Sequence, residues 1–439
     1  MTDLGARLMA GYNVGHDRNG FSGARLAERL AQISQIGLTD AGGSHRLGFS
    51  AAERAAKDLV LGWLKQLGFT VKMDAAGNCF GRLAGRNDTA PSVMCGSHID
   101  TVPNGGHFDG VLGVLLAVEI AEMWRATGFT PENPYEVAIF SDEEGTRFNV
   151  GFVGSTAMVG SVDVPALATL EDCDGHSFAT AVAETGLVLA RFGDARRDAA
   201  TISAFVEVHI EQGRVLERES AAVGIVSGIA GLYGLEITVT GVAGHAGTTP
   251  MTMRKDALVG AARIVAAISE IAPECSDTAV ATVGQLIVFP GGANVVPGKV
   301  RFTVDLRDIS QDTLDVLRDR IIERATEIAA EAGLDLRCGL TLSVPPTQVD
   351  QRLKAVQRAA LHEMGAPLLE IPSGAGHDAM IIGSQIPVAM FFVRSKSGIS
   401  HNPAEYSSLD DCAIAATALS GMLKKLLTDV KACERKSDV

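Results

Sequence analysis

"SVMCGSHIDTVPNGGHFDGVLGVLLAVEIAEMWRATGFTPENPYEVAIF" (residues 92–140) decides the fold. "SVMC" (92–95) and "YEVAIF" (135–140) read as strands, and an apolar helix runs between them from Val111 to about Gly128. A strand, a helix and a second strand in that order imply parallel strands in a sheet covered by helices. Behind the first strand lies "GSHIDTVPNGGHFDG" (96–110), with two histidines and two aspartates among glycines. Asp, Asn and Gly suit turns, which is the ordinary account of such a loop. The alternative is that some of these side chains are ligands and the rest of the chain supplies others.

The same grammar extends outward. "SAAERAAKDLVLGWLKQLG" (50–68) opens with a capping box, Ser50 and Glu53, and closes at Gly68 as a helix should. "FTVKM" (69–73) and "AFVEVHI" (204–210) are further strands. Near Val223 the pattern changes. "GLYGLEITVTG" alternates like a half-exposed strand, and "DALVGAARIVAAISEIA" follows as a helix. Strands through "AVATVGQLIVFPGG" and "VRFTVDLRD", a helix "TLDVLRDRIIERATEIAAEAG" and a strand "DLRCGLTLSV" complete the set. Two helices and four strands make a small α/β sandwich with one sheet face covered. From Pro345 the chain returns to helix, strand and helix in "QRLKAVQRAALHEMG", "PVAMFFV" and "DDCAIAATALSGMLKKLL". The expected fold class is α/β: a mostly parallel sheet flanked by helices over residues 1–216 and 346–439, with a smaller α/β sandwich inserted at 217–345.

Bulk properties narrow the function. A chain of 439 residues suits two domains. With 46% hydrophobic and 21% charged residues it is an ordinary globular composition. A formal net charge of −14 argues against nucleic-acid and anionic-membrane partners. The first twenty residues lack an apolar segment, so no secretory signal is expected. The longest apolar run, "VLGVLLAV" (111–118), is too short for a bilayer and meets Glu119 and Glu122. The cysteines (Cys79, Cys95, Cys173, Cys275, Cys338, Cys412, Cys433) are odd in number, scattered and without a C-x-x-C pair. That excludes a disulfide framework and a thiolate zinc site, and points to a reducing cytoplasm.

The chemistry-bearing side chains gather behind strands. His98 and Asp100 follow "SVMC", Asp109 precedes the next helix, and Asp142, Glu143 and Glu144 follow "YEVAIF". His209 ends "AFVEVH", and His401 lies after "PVAMFFV". Ligands of open α/β sheets bind at the carboxyl ends of strands, so these groups can converge. In His-x-Asp, an imidazole that binds metal donates its other N–H to a carboxylate. Glu143 and Glu144 are adjacent and cannot easily both face one metal, so one can ligate while the other serves as general base. Singly, each has a plain explanation: a loop hydrogen bond, a solvated acidic run, a core histidine. Five such sites after successive strands argue for a metal centre.

"GSHIDTVPNGGHFDG", "DEEGTRF", "VEVHIEQG", "GHAGTTPM", "GGANVVPG", "DLRD", "SGAGHDAM" and "GISHNPAE" together resemble the amidohydrolases of the hydantoinase/carbamoylase family. That family falls within the di-zinc aminoacylase and metallopeptidase superfamily. The resemblance covers residues 51–409, with the motifs in the family's order. It implies five metal ligands: His98 and His209 on one ion, Glu144 and His401 on the other, and Asp109 bridging both. It implies Asp100 as the support of His98 and Glu143 as the general base. Gln212, Asn294, Arg307 and His377 become substrate contacts, with Arg307 clamping a carboxylate; an ion pair with Asp305 or Asp308 is its ordinary alternative. His245 in "GHAG" is similar to a lid histidine that polarises the scissile carbonyl from the neighbouring subunit. The insert would then be a lid and dimerisation domain, and the active form a homodimer. Two divalent ions per subunit are implied, zinc first, with manganese, cobalt or nickel also suited to three imidazoles and two carboxylates.

The implied reaction is hydrolysis of the carbamoyl C–N bond of N-carbamoyl-L-amino acids, small ureido substrates bearing a carboxylate. Allantoate is the next candidate, and a β-ureido acid the third. An aminoacylase or dipeptidase of the same superfamily is a rival, against which His209 counts: the peptidase relatives usually carry a carboxylate there. A non-catalytic binding protein has no need of Glu143 beside five ligands. His107 sits where the family's pattern does not ask for histidine, and is read as an exposed or rim side chain.

Overall fold

The computed structural model describes residues 3–428; the expectations for Cys433 and for the chain's two ends lie outside that range. The first five strands are β1 (Thr70–Met73), β2 (Cys79–Leu83), β3 (Ser92–His98), β4 (Tyr135–Phe140) and β5 (Ile202–Ile210). Every residue of β3, β4 and β5 is buried, as in strands covered on both faces. β3 pairs in parallel with both β4 and β5, and the buried strand Val388–Val393 pairs in parallel with β5. The flanks are antiparallel: β1 with β2, β2 with β4, and Val223–Ile229 with Val388–Val393. The mostly parallel sheet expected from the sequence is therefore its centre.

The crossover between β3 and β4 is the helix Val111–Thr127, buried from Val111 through Trp124. The helix is wholly apolar over its first two turns, which need no solvent face, and buries Glu119 and Glu122 further along in ion pairs with Arg25 and Arg29. It stops at Gly128, whose φ of 69° is the left-handed cap conformation. The helix Ala51–Gln66 starts as predicted, with Ser50 Oγ accepting from Glu53 N at 3.1 Å. Glu53 turns back to the amide of Phe49 at 2.7 Å and pairs with the buried Lys57.

Strand β2 and residues 141–201 carry structure that sequence periodicity does not announce. The latter hold the short helices Val153–Val159, Val164–Leu167 and Phe178–Glu184. They close around Phe49, Phe148, Phe178 and Phe192, with Phe148 and Phe178 ring centroids 4.8 Å apart. Helices of one or two turns are too short to display a 3.6-residue repeat, so tertiary packing decides them.

Residues 228–348 together with 372–376 form a second compact unit. Its four-stranded sheet runs Asp335–Val344, Gly231–Thr240, Lys299–Asp308, Val280–Phe289, all antiparallel. Burial alternates strictly along Gly231–Thr240. The helices Ala257–Cys275 and Gln311–Glu331 share its core with the strands, through Ile237, Val239, Ile264, Ile268, Phe302, Leu317 and Ile321. The sequence pattern opens the insert at 217, but Val223–Ile229 is buried nearly throughout and pairs within the larger unit's sheet. Among the described residues no helix is long and apolar enough to cross a membrane.

Gly96, in the middle of β3, gives a stability test. A Cβ there would lie 2.0 Å from the carbonyl oxygen of Ala138 on β4, backbone that cannot yield without parting the two strands. Gly96→Ala is expected to destabilise by about 3 kcal/mol, the upper end of ordinary overpacking. Gly284→Ala, where a Cβ meets nothing within 4 Å, should stay within about 0.5 kcal/mol of the parent. Denaturant unfolding of the two variants makes the comparison.

Candidate metal centre

The sheet sets out the side chains at its carboxyl edge. His98 is the last residue of β3, His209 the penultimate residue of β5, and Glu143 and Glu144 follow β4. Asp109 lies in the turn before Val111–Thr127, and His401 in the loop after Val388–Val393. They meet around one carboxylate. Asp109 Oδ1 lies 3.1 Å from His209 Nε2 and 3.5 Å from His98 Nε2. Its Oδ2 lies 3.5 Å from His401 Nε2, which is 3.4 Å from Glu144 Oε2. Two triads of donors result, His98–Asp109–His209 and Asp109–Glu144–His401, each with its donor atoms within 4.8 Å of one another.

Backbone contacts orient the rings. His98 Nδ1 donates to the carbonyl of Asp100 at 3.1 Å, and His209 Nδ1 to that of Ile210 at 3.0 Å. Both Nε2 atoms therefore lie on the side of Asp109, and His209 Nε2 also accepts from Gly110 N at 3.2 Å. His98 Nε2 is buried without a hydrogen-bond partner, a costly state for a polar atom that a cation between these donors would relieve. Gly110, at φ 63°, makes room for it: a Cβ there would sit 2.4 Å from His98 Nε2. The residues present thus fit a divalent ion. Asp100 meets the His98 ring at Nδ1 twice, through its carbonyl at 3.1 Å and its Oδ1 at 3.5 Å, and its carboxylate also accepts from the amides of Glu143 at 3.2 Å and Glu144 at 3.1 Å. It ties the end of β3 to the acidic turn after β4.

Proton affinities follow from this crowding. Burial and then the neighbouring carboxylates push Glu143 well above the usual carboxyl range, against the opposing pull of His98. Burial and Asp109 raise Glu144 to about 7. Asp109 goes the other way: burial raises it, but His209, His401 and His98 together hold it well below. Burial opposes charge on His98, yet Glu143, Asp100 and Asp109 raise it well above its ordinary value. His401, hydrogen-bonded to Asp109, rises to about 9.

Other predicted residues divide between the two units. Gln212 Nε2 donates to Asp109 Oδ2 at 2.8 Å, and His377 is buried with its ring centroid 4.5 Å from that of His209. In the smaller unit, His245 is exposed on a two-stranded ribbon, Gly244–His245 with Val295–Val296. Exposed Asn294 leads into the second strand, and its carbonyl accepts from Ala246 N at 2.9 Å. Arg307 makes a bidentate pair with Asp305, at 2.8 and 3.1 Å, and donates to the carbonyl of Gly374 at 2.7 Å. His107 is a correction. It is only 7% exposed, with Nδ1 2.7 Å from Ser44 Oγ and Nε2 donating to the carbonyl of Gly42 at 3.1 Å. Burial and nearby Arg46 lower it to about 4, so it is a neutral clasp on the loop at 42–44, which packs over it. Glu405, quoted in "GISHNPAE" without a role, accepts from the amides of Phe108 and Asp109 at 2.8 and 3.0 Å. Its signal is an acidic residue in a motif that folds against the glycines of the first loop.

Fold and donors together define an α/β protein with a candidate metal centre at the carboxyl ends of parallel strands. The chain belongs to Peptidase family M20/M25/M40, which residues 94–425 match, a metal-dependent family, and to its hydantoinase/carbamoylase branch. It is 44% identical to an N-carbamoyl-L-amino acid amidohydrolase of Geobacillus stearothermophilus, over 90% of this chain and 97% of that one. It is 35% identical to an allantoate amidohydrolase of Bacillus subtilis, over 91% and 97%. Among solved structures, a hydantoinase/carbamoylase family amidase from Burkholderia multivorans superposes with a TM-score of 0.87 at 35% identity, over 93% of this chain and 99% of that one.

The raised imidazoles set a pH test. At pH 7 the metal-free site holds protons on His98 and on His401, the latter near 9. A divalent ion must displace them, so its apparent affinity should rise as pH rises from 6 to 9. Calorimetric titration of metal-free protein with Zn2+ in two buffers of different ionisation enthalpy should show net proton release at pH 7. Zero release would contradict the assignment of these groups as ligands.

Proposed function

We propose that this chain hydrolyses the carbamoyl C–N bond of N-carbamoyl-L-amino acids, giving the amino acid, ammonia and carbon dioxide. One observation carries the reading. Glu143 belongs to neither donor triad, yet it is buried beside them with Oε2 3.6 Å from His98 Nε2, where a general base belongs. The 44% identity to an N-carbamoyl-L-amino acid amidohydrolase supports the substrate class. In this reading His98 and His209 hold one ion, Glu144 and His401 the other, and Asp109 both, with zinc first and manganese, cobalt or nickel as alternatives. Bound divalent ions supply Lewis acidity toward a carbonyl oxygen and bring the pKa of water near neutrality.

The chain's own groups do the rest. Glu143 Oε2 takes the proton of the attacking water and returns it to the leaving nitrogen. The bond from carbonyl carbon to the amino-acid nitrogen breaks, and the carbamic acid released falls apart to ammonia and carbon dioxide. Asp100 keeps Glu143 and Glu144 in place through their amides. Arg307 clamps the substrate carboxylate, which competes with Asp305 for the guanidinium, and Gln212, Asn294 and His377 complete the substrate's surroundings.

His245 donates to the developing oxyanion from a second copy of the chain, so the working form is a homodimer built through the smaller unit. Exposed Leu286, Ile287 and Phe289 on that unit's edge strand Val280–Phe289 support self-association, since a long apolar edge is a pairing surface. The described cysteines are all unpaired, which supports the reducing cytoplasm as its compartment. Allantoate hydrolysis is the second reading, favoured by the 35% identity to an allantoate amidohydrolase.

Ammonia release from a panel of N-carbamoyl-L-amino acids, allantoate and a dipeptide separates these readings. The highest kcat/KM is expected on a carbamoyl amino acid, and a preference for the dipeptide would overturn the proposal. Glu143→Gln should keep its full metal complement and lose activity by at least a few hundredfold; stoichiometric loss of one metal would exchange the roles of Glu143 and Glu144.

The shared site has its own test. Removing the oxyanion donor in His245→Ala should lower turnover by a factor on the order of a hundred. Mixed with Glu143→Gln protein and allowed to exchange subunits, it should recover activity. Each mixed dimer gathers both lesions in one site and leaves the other whole. Exchange without recovery would place His245 outside its partner's site.

A further inference from the structure

Glu405 lies four residues beyond His401 and is fully buried. Its Oε1 accepts from Phe108 N at 2.8 Å and Asp109 N at 3.0 Å, the two amides just before the helix Val111–Thr127. That helix begins at Gly110, which has no side chain to cap it. Glu405 therefore holds, from 296 residues away, two amides of the turn that leads into the helix. Gly106 is shaped to admit it: a Cβ there would lie 2.1 Å from the Glu405 carboxyl carbon. The other oxygen, Oε2, is 3.2 Å from Ser400 Oγ, and that hydroxyl lies 2.6 Å from Asp109 Oδ2. A serine hydroxyl has one proton, so Ser400 stands between two carboxylates and can donate to one at a time.

The geometry points to Glu405 as a positioning residue for Asp109: it fixes the backbone of the turn, and it offers Ser400 a second acceptor so that Asp109 Oδ2 can turn its lone pairs to a cation. The inference rests on the reading of Asp109 as a metal ligand. Gln212 Nε2 and Ser400 Oγ both hydrogen-bond to Oδ2, with His401 Nε2 3.5 Å away, so a cation must compete with the hydroxyl. Glu405 Oε2 lowers that competition because the displaced hydrogen bond is remade within 3.2 Å rather than lost in a buried site.

Metal-free full-length protein is titrated with Zn2+ against a chromophoric chelator, and the visible spectrum of the Co2+ form is recorded for each variant. Glu405→Ala removes both functions and should weaken divalent binding by about a hundredfold, the upper end for groups that orient ligands. Glu405→Gln keeps a carbonyl for the two amides but cannot accept from Ser400, so its loss should be smaller, about tenfold. Both should shift the Co2+ bands. Glu136→Gln, a buried carboxylate at the start of β4 paired with Arg197, should match the wild type in affinity and spectrum. Wild-type affinity and an unshifted spectrum in Glu405→Ala would overturn the inference. If that variant does not fold, as read by a thermal melt of the metal-free form, the same result in Glu405→Gln overturns it. Failure of the wild type itself to bind Zn2+ or Co2+ would instead overturn the metal reading beneath it.

Discussion

One buried carboxylate organises this molecule. Asp109 is 5% exposed and lies within 3.5 Å of three imidazoles carried by β3, β5 and the loop after Val388–Val393. A charge in such a place is tolerable only if its partners are already in position, since neither side can recover its hydration. The parallel sheet provides that. Pairing of β3 with β5 through Gly96 and Glu207 carries His98 and His209 forward side by side, to ring centroids 5.9 Å apart. Strand burial thus becomes site geometry. The apolar residues that make β3 and β5 cohere also set the spacing of the two imidazoles at their ends.

The same dependence explains what could be read from the sequence. β3, the crossover helix and β4 were readable because each is long enough to show its period and its stops. The site residues were readable because they cluster where such strands end. Roles beyond ligation came only with the motifs, since spacing alone does not distinguish Glu143 from Glu144. Residues 141–201 were not readable: their helices are too short to carry a periodic signal and are held by contacts among Phe49, Phe148, Phe178 and Phe192. His107 was misread for a related reason. Its burial depends on the loop at 42–44 arriving over it, a contact across 65 residues that no local pattern encodes. Val223–Ile229 was given to the insert although its partner, Val388–Val393, lies far along the chain.

Behind the candidate ligands lies a second tier of buried charge. Lys57 Nζ, paired with Glu53, donates to Ser141 Oγ at 2.8 Å and to the carbonyl of Gly77 at 3.2 Å. Ser141 is the residue at which β4 gives way to the acidic turn, so a helix-borne ion pair braces the segment that aims Glu143 and Glu144. Arg46 is fully buried without a carboxylate partner, and spends its donors on the carbonyls of Ile99 and Ile36 and on Ser44 Oγ. Both cations are held by contacts within the fold.

These fixed cations do not suffice, and the carboxyls show it. Glu143 and Asp142 are pushed well above their ordinary range, and Glu144 and Glu405 to about 7, each by burial first and by a neighbouring carboxylate next. Four acids that would rather be neutral, around an Asp109 held ionised, amount to an excess of negative potential that the histidines only partly offset. Protons can relieve it at the expense of the lone pairs that make the site reactive. A divalent cation would relieve it without engaging Glu143, which belongs to neither donor triad. The sheet edge is therefore more than a set of donors at suitable distances: it gathers negative charge for which protons and a divalent cation compete, and the balance moves toward the cation as pH rises and the imidazoles give their protons up.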